Sequence, residues 1–174
     1  MQEDLALWES FRQGDRTALA DLFSLYYDLL ERYGRKLVRE DHILQDLIHD
    51  VFLELWERKL PPPVTSIPSY LLGALRNRIF GHFRDTRKRS VSIPVEMDFQ
   101  VSMEDFIIIR EDEESRISQL VDAIGKLPPR QREILYLRYY CDMEYAEICA
   151  LTGISYQVAR NQLSNAILFI RKQS

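Results

Sequence analysis

The chain has 174 residues, 46% of them hydrophobic, and a formal net charge of -4. That length and apolar content supply a buried core for one average domain or two small ones, which excludes a disordered chain. No apolar run is long enough to span a bilayer, and the acidic, amphipathic start MQEDLALWESFRQGD is unlike a secretory signal, so a cytoplasmic location is expected.

From Thr17, apolar residues recur at Leu19, Leu22, Phe23, Tyr26, Leu29, Leu30 and Tyr33, a spacing of three and four that lays one stripe along a helix. A second helix is written more clearly. Ile43, Leu44, Leu47, Ile48, Val51, Phe52, Leu55 and Trp56 pair four apart, with Asp41 as the expected N-cap. Its opposite side repeats Asp46, Asp50 and Glu54 every four residues, with Gln45 and His49 alongside. Like charges at that spacing repel mildly, so the stripe is either a solvated face or one that meets a basic partner. His49 alone reads as a surface residue.

LPPPVTSIP ends this helix, because Pro61, Pro62, Pro63 and Pro68 withhold backbone donors and favour extended neighbours. A third helix follows in SYLLGALRNRIFGHFRDTRKR, with Leu71, Leu75, Ile79 and Phe83 on its buried side. Arginines beside Tyr70, Phe80 and His82 offer phosphate contacts and flat faces for unpaired bases, though ordinary amphipathic helices carry the same mixture.

Charge then shifts abruptly. Residues 1–89 carry 14 basic and 14 acidic side chains, residues 90–114 carry 1 and 8, and residues 115–174 carry 8 and 5. The negative total therefore comes from one short stretch, SVSIPVEMDFQVSMEDFIIIREDEE, which lacks sustained helical periodicity and reads as an acidic linker. It is a solvated spacer, a chain that lies in a partner's basic groove, or a cover over a DNA-binding surface. The expected architecture is all-α: an N-terminal helical domain (1–89), the linker (90–114) and a C-terminal domain (115–174).

Past the linker, residues 116–126 form a short helix, and Pro128 and Pro129 start another in LPPRQREILYLRYY, with Ile134, Leu135, Leu137 and Tyr140 as its apolar contacts. EYAEICALTGISYQVARNQLSNAILFIRK then gives helix, turn, helix. Gly153 permits the sharp turn, Ser155 suits an N-cap, and Ile148, Cys149, Ile154, Ala159 and Leu163 occupy the packing positions of a helix-turn-helix. Gln157, Arg160 and Asn161 lie where side chains of such a second helix reach base edges, unless the unit is a plain helical hairpin. Cys141 and Cys149 are too few for a disulfide framework and stand in no metal-ligand spacing, so both read as small buried hydrophobes, with no metal or cofactor expected.

LQDLIHDVFLELWE, SYLLGALRNRIFGHFRDTRKR, an acidic linker, LPPRQREILYLRYY and EICALTGISYQVARNQL, in that order, resemble a bacterial RNA polymerase sigma factor of the extracytoplasmic-function group. The resemblance spans nearly the whole chain. It implies that Gln45, Asp46, His49 and Asp50 bind core RNA polymerase. It further implies that the proline-rich loop captures a flipped base of the minus-ten element, with Lys59, Tyr70, Arg76, Asn77, Phe80 and Arg84 on the opening DNA. Tyr156, Gln157, Arg160, Asn161 and Ser164 would read the minus-thirty-five element. Such a protein is not an enzyme by itself, assists promoter melting, and is commonly held by an anti-sigma factor. Departures from the family pattern fall at Tyr70 (usually Trp), Gly81 (commonly Asp), His49 (commonly Gln), and Tyr156, Gln157 and Val158 (commonly small residues and Thr). Thr152 replaces an apolar residue and is expected to loosen the turn. Two other classes are compatible with parts of the pattern: a stand-alone helix-turn-helix regulator acting as a dimer, and a sigma-like adaptor without promoter recognition.

Overall fold

The computed structural model describes residues 2–58, 61–89, 99–102 and 114–173. Contacts divide the chain into two units, residues 1–93 and 94–174. Among the described residues there are eight helices, four in each unit.

The first unit contains α1 (Gln2–Arg12), α2 (Arg16–Gly34), α3 (Asp41–Glu57) and α4 (Ile67–Arg89). Asp15 caps α2, its carboxylate accepting from the Thr17 amide at 2.9 Å and the Thr17 hydroxyl at 2.7 Å. The stripe on α2 buries Leu19, Leu22, Tyr26, Leu30 and Tyr33 as its spacing predicts, while Phe23 and Leu29 are only half-buried. On α3, Leu44, Leu47, Ile48, Val51, Phe52 and Leu55 are buried. Trp56, at the end of that run, instead stands 43% exposed, with the Arg16 guanidinium 4.2 Å over its ring. The cap also falls one residue earlier than expected. Glu40 holds the N-cap position without a side-chain bond, and Asp41 is helical, its carboxylate taken by Arg35 at 2.7 Å. The helices α2 and α3 cross where α2 ends, and a Cβ at Gly34 would land inside the Leu44 side chain. Only glycine lets them approach so closely.

Two readings near α4 are corrected. Pro68 lies inside the first helical turn rather than in the loop: Ser66 accepts from the Ser69 amide with its hydroxyl at 3.3 Å and from the Tyr70 amide with its carbonyl at 3.1 Å. Proline is tolerated there because its missing N–H would have had no helical partner. Phe83 is half-buried rather than core, whereas Ile67, Leu71, Leu72, Leu75 and Ile79 are fully buried.

The second unit contains α5 (Glu114–Gly125), α6 (Pro129–Tyr139), α7 (Tyr145–Thr152) and α8 (Tyr156–Gln173), with α8 packed on α5, α6 and α7. Pro128 and Pro129 open α6 as the sequence suggests. From the acidic stretch only residues 99–102 are described outside a helix. Phe99 is 1% exposed, edge-on to Tyr136 of α6 at 5.4 Å. A residue expected in a solvated spacer is therefore part of this unit's core. No helix among the described residues is long and apolar enough to cross a membrane.

Candidate nucleic-acid interface

On α3 the hydrophobic stripe turns one side inward, so the residues between it face out. Gln45, Asp46 and His49 are exposed and Asp50 is half-exposed. His49 lies flat against Phe23 of α2, ring centroids 5.7 Å apart. The carboxylate stripe is not left to repel itself. Arg78 of α4 reaches Asp50 at 3.2 Å and Glu54 at 2.8 Å, and Arg58 takes the other Glu54 oxygen at 2.5 Å. Hydrogen bonds from Arg58 and then Arg78 hold the Glu54 carboxyl below its ordinary range. Asp46 makes no ion pair among the described residues and remains the free acid of the stripe.

The proline-rich loop is held from α1. Prolines leave carbonyls without a ladder to join, and two of these carbonyls find donors on α1: Trp8 Nε1 donates to Pro62 O at 3.0 Å and Arg12 Nε to Pro61 O at 2.9 Å. Trp8, 2% exposed, also meets Tyr70 edge-on at 5.3 Å. One buried tryptophan thus fixes both the loop and the aromatic residue that begins α4. Beside the loop lies a pocket of about 280 Å³ bounded by Arg12, Arg16, Trp56, Arg58 and Pro61.

The α4 residues singled out from the sequence separate into two groups. Asn77, Phe80 and Arg84 are exposed, and Tyr70 is half-buried. Arg76 is 7% exposed, and its guanidinium lies 4.2 Å over the Phe80 ring. As placed, it has little surface to offer a phosphate, and it instead backs the Phe80 ring. Lys59 lies outside the described residues.

In the second unit Gly153 ends α7 in the left-handed region, at φ 71° and ψ 19°, a conformation that costs other residues. Ser155 then caps α8, its hydroxyl 3.4 Å from the Val158 amide and its carbonyl 2.9 Å from the Ala159 amide. Ile148, Ala159 and Leu163 are buried between the helices, with Cys149 and Ile154 half-buried. Thr152 does not loosen the turn. Its hydroxyl donates to Ile148 O at 2.6 Å and its carbonyl accepts from Arg130 at 2.8 Å, so its polar atoms are satisfied in place. Tyr156, Gln157, Arg160, Asn161 and Ser164 are all exposed along α8. Gln157 Nε2 donates to Asn161 Oδ1 at 3.0 Å, which joins two of them into one polar surface, and Tyr156 leans on Tyr145 of α7 at 5.2 Å.

Among the described residues no group of His, Cys, Asp and Glu could hold a metal ion. Trp8, Arg12 and Arg78 are the residues that sequence reasoning missed. Only Trp8 carried a signal, as the largest aromatic of an acidic, amphipathic opening segment.

A helix-turn-helix with an exposed polar second helix defines a DNA-binding transcription protein. Family models for sigma-70 region 2 and sigma-70 region 4 match residues 22–89 and 117–170. RNA polymerase sigma factor SigZ of Bacillus subtilis is 26% identical over 83% of this chain and 80% of its own. The ECF RNA polymerase sigma factor SigK of Mycolicibacterium vanbaalenii is 23% identical over 88% of this chain and 82% of its own. The solved sigma factor RpoE of Bartonella quintana, in complex with the anti-sigma factor NepR, shares the fold at TM-score 0.62 and 16% identity, covering 88% of this chain and 94% of that one. The chain belongs to the extracytoplasmic-function group of the sigma-70 family of RNA polymerase sigma factors.

Proposed function

We propose that this protein binds core RNA polymerase, carries it to a limited set of promoters and helps open the DNA there. The observation that carries the reading is the pairing, in one chain, of a region 2 unit with an exposed acidic helix face and a region 4 unit with a capped helix-turn-helix. Gln45, Asp46, His49 and Asp50 form the polymerase-docking face, where a basic partner surface would pair with Asp46 and compete for Asp50. Tyr70, Asn77, Phe80 and Arg84, with Lys59, hold unpaired minus-ten DNA by stacking and phosphate contact. Arg76 serves that face indirectly, by supporting Phe80. Tyr156, Gln157, Arg160, Asn161 and Ser164 read the minus-thirty-five element, where each good bidentate contact contributes roughly 1–3 kcal/mol of base discrimination.

The roles divide in the same way: 1–89 for polymerase and minus-ten contacts, 90–114 as an acidic connection, anchored on the second unit at Phe99, that enters polymerase channels, and 115–174 for the minus-thirty-five element. Catalysis belongs to the polymerase and not to this chain. Work takes place in the cytoplasm, and an anti-sigma factor holds the protein in reserve, as NepR partners the Bartonella relative.

The test is co-elution with bacterial core RNA polymerase, followed by transcription from a pool of that bacterium's promoter fragments. Binding to core and selection of a few promoters supports the reading. Binding to duplex DNA without core would replace it with a stand-alone regulator. Core binding without selection of any promoter, unaltered by Arg160→Ala/Asn161→Ala, would leave only an adaptor.

A further inference from the structure

The docking face on α3 and the strand-holding face on α4 share one side chain. Arg78 follows Asn77 directly, and at 3.6 residues per turn it projects about 100° away from it. That direction lies between the exposed line of Asn77 and Arg84 and the buried line of Leu71, Leu75 and Ile79. From there the guanidinium crosses to Asp50 Oδ2 at 3.2 Å and Glu54 Oε2 at 2.8 Å.

These bonds are open to exchange. The Arg78 side chain is 34% exposed, and its partners are 49% and 43% exposed. Ion pairs so open to water are weak and are screened by salt. Glu54 also keeps Arg58 on its other oxygen, so departure of Arg78 would not leave that carboxylate bare. Any basic surface arriving at the α3 stripe competes with Arg78 for Asp50.

We propose that Arg78 is a transferable cation, paired with Asp50 and Glu54 in the free protein and released to a phosphate of single-stranded DNA on the α4 face when a basic partner takes those carboxylates. The inference rests on the docking and strand-binding roles proposed above. Docking on one helix then raises affinity on the next without any change of fold, and strand binding favours docking by the same factor.

The experiment measures binding of the full chain to a short labelled oligothymidine by fluorescence anisotropy over a salt series. Asp50→Asn/Glu54→Gln, made like every variant below in an Arg58→Ala background because Arg58 shares Glu54, frees Arg78 without polymerase. It is expected to bind more tightly and to steepen the log–log salt slope by about 0.7, so that about 2.6-fold more affinity is lost between about 50 and 200 mM salt. Asp21→Asn/Asp28→Asn, at exposed positions of α2, makes the same charge change elsewhere and measures the general electrostatic gain. The first variant should exceed the second, and adding Arg78→Ala should remove the excess. Equal gains, or a gain that survives Arg78→Ala, overturn the proposal. Helical content by circular dichroism accompanies each variant, and Arg78→Gln replaces the alanine if that content falls. Co-elution of the unaltered chain with core polymerase is scored separately. Failure there removes the functional reading, whereas a chain that co-elutes but lacks the Arg78-dependent gain removes the transfer alone.

Discussion

Reversing the charge at Asp46 separates binding from folding more cleanly than any other change on α3. Asp46 is exposed and makes no ion pair among the described residues, unlike Asp50 and Glu54. In Asp46→Lys the attraction to a basic surface is lost and replaced by repulsion of similar size. At about 1 kcal/mol for each, the sum of about 2 kcal/mol weakens docking to core polymerase by about 30-fold. Stability moves the other way. Asp46 and Asp50 are like charges four residues apart, and the lysine turns that repulsion into attraction, a gain of about 0.5 kcal/mol. For a unit of this size the gain raises Tm by about 2–4 °C. Titration against immobilised core polymerase and a thermal scan of the same preparation read both numbers. A Tm that falls with binding would show that the loss came through the fold, and an unchanged affinity in a folded variant would remove Asp46 from the docking face.

Gly34→Ala forces a methyl into Leu44 and is expected to cost about 1–3 kcal/mol in urea unfolding, with partial recovery in Gly34→Ala/Leu44→Ala. Bonds from Thr17, then Ser10, hold the Asp15 carboxyl below its ordinary value of 3.8. Its contribution is complete above that value and is lost as pH falls through the lowered folded pKa, so Asp15→Asn should flatten the acid limb of the stability curve below about pH 4. Burial pushes the Cys141 thiol up to about 12. Cys141 is half-buried rather than the core residue expected from the sequence, and at pH 8 about one molecule in ten thousand would carry the thiolate, so iodoacetamide should label it far more slowly in the folded protein than after unfolding; equal rates would contradict the raised pKa.

Helices were legible because burial on one face imposes a period, and α3 displays that period from Leu44 to Leu55. The turn at Gly153 and the cap at Ser155 were legible for a different reason: few residues accept those backbone positions. What required the structure was the pairing of residues distant in sequence. Arg78 and Asp50 are 28 positions apart, and nothing local distinguishes Arg78 from Arg76, which is buried over Phe80. The same limit hid Trp8 and Arg12, whose partners lie 54 and 49 positions away on the proline loop. Pro68 misled in the opposite direction, because proline breaks a helix interior yet fits a first turn. Thr152 in place of the family's usual apolar residue suggests looser packing, because the bond of its hydroxyl to the Ile148 carbonyl is invisible in the sequence.

The turn between α7 and α8 is secured largely from behind, with Tyr156 of the outer side leaning on Tyr145. Arg130 holds the Thr152 carbonyl, Thr152 holds Ile148, and Ala159 and Leu163 fill the space beneath. Along the outer side of α8, Gln157 and Asn161 bond to each other, and Arg160 and Ser164 are exposed. On the proposed reading of that outer side, stability and sequence preference fall on different residues of one helix. A lineage that duplicates this protein would then redirect the copy to new promoters by substitutions there, without first acquiring mutations that keep the unit folded.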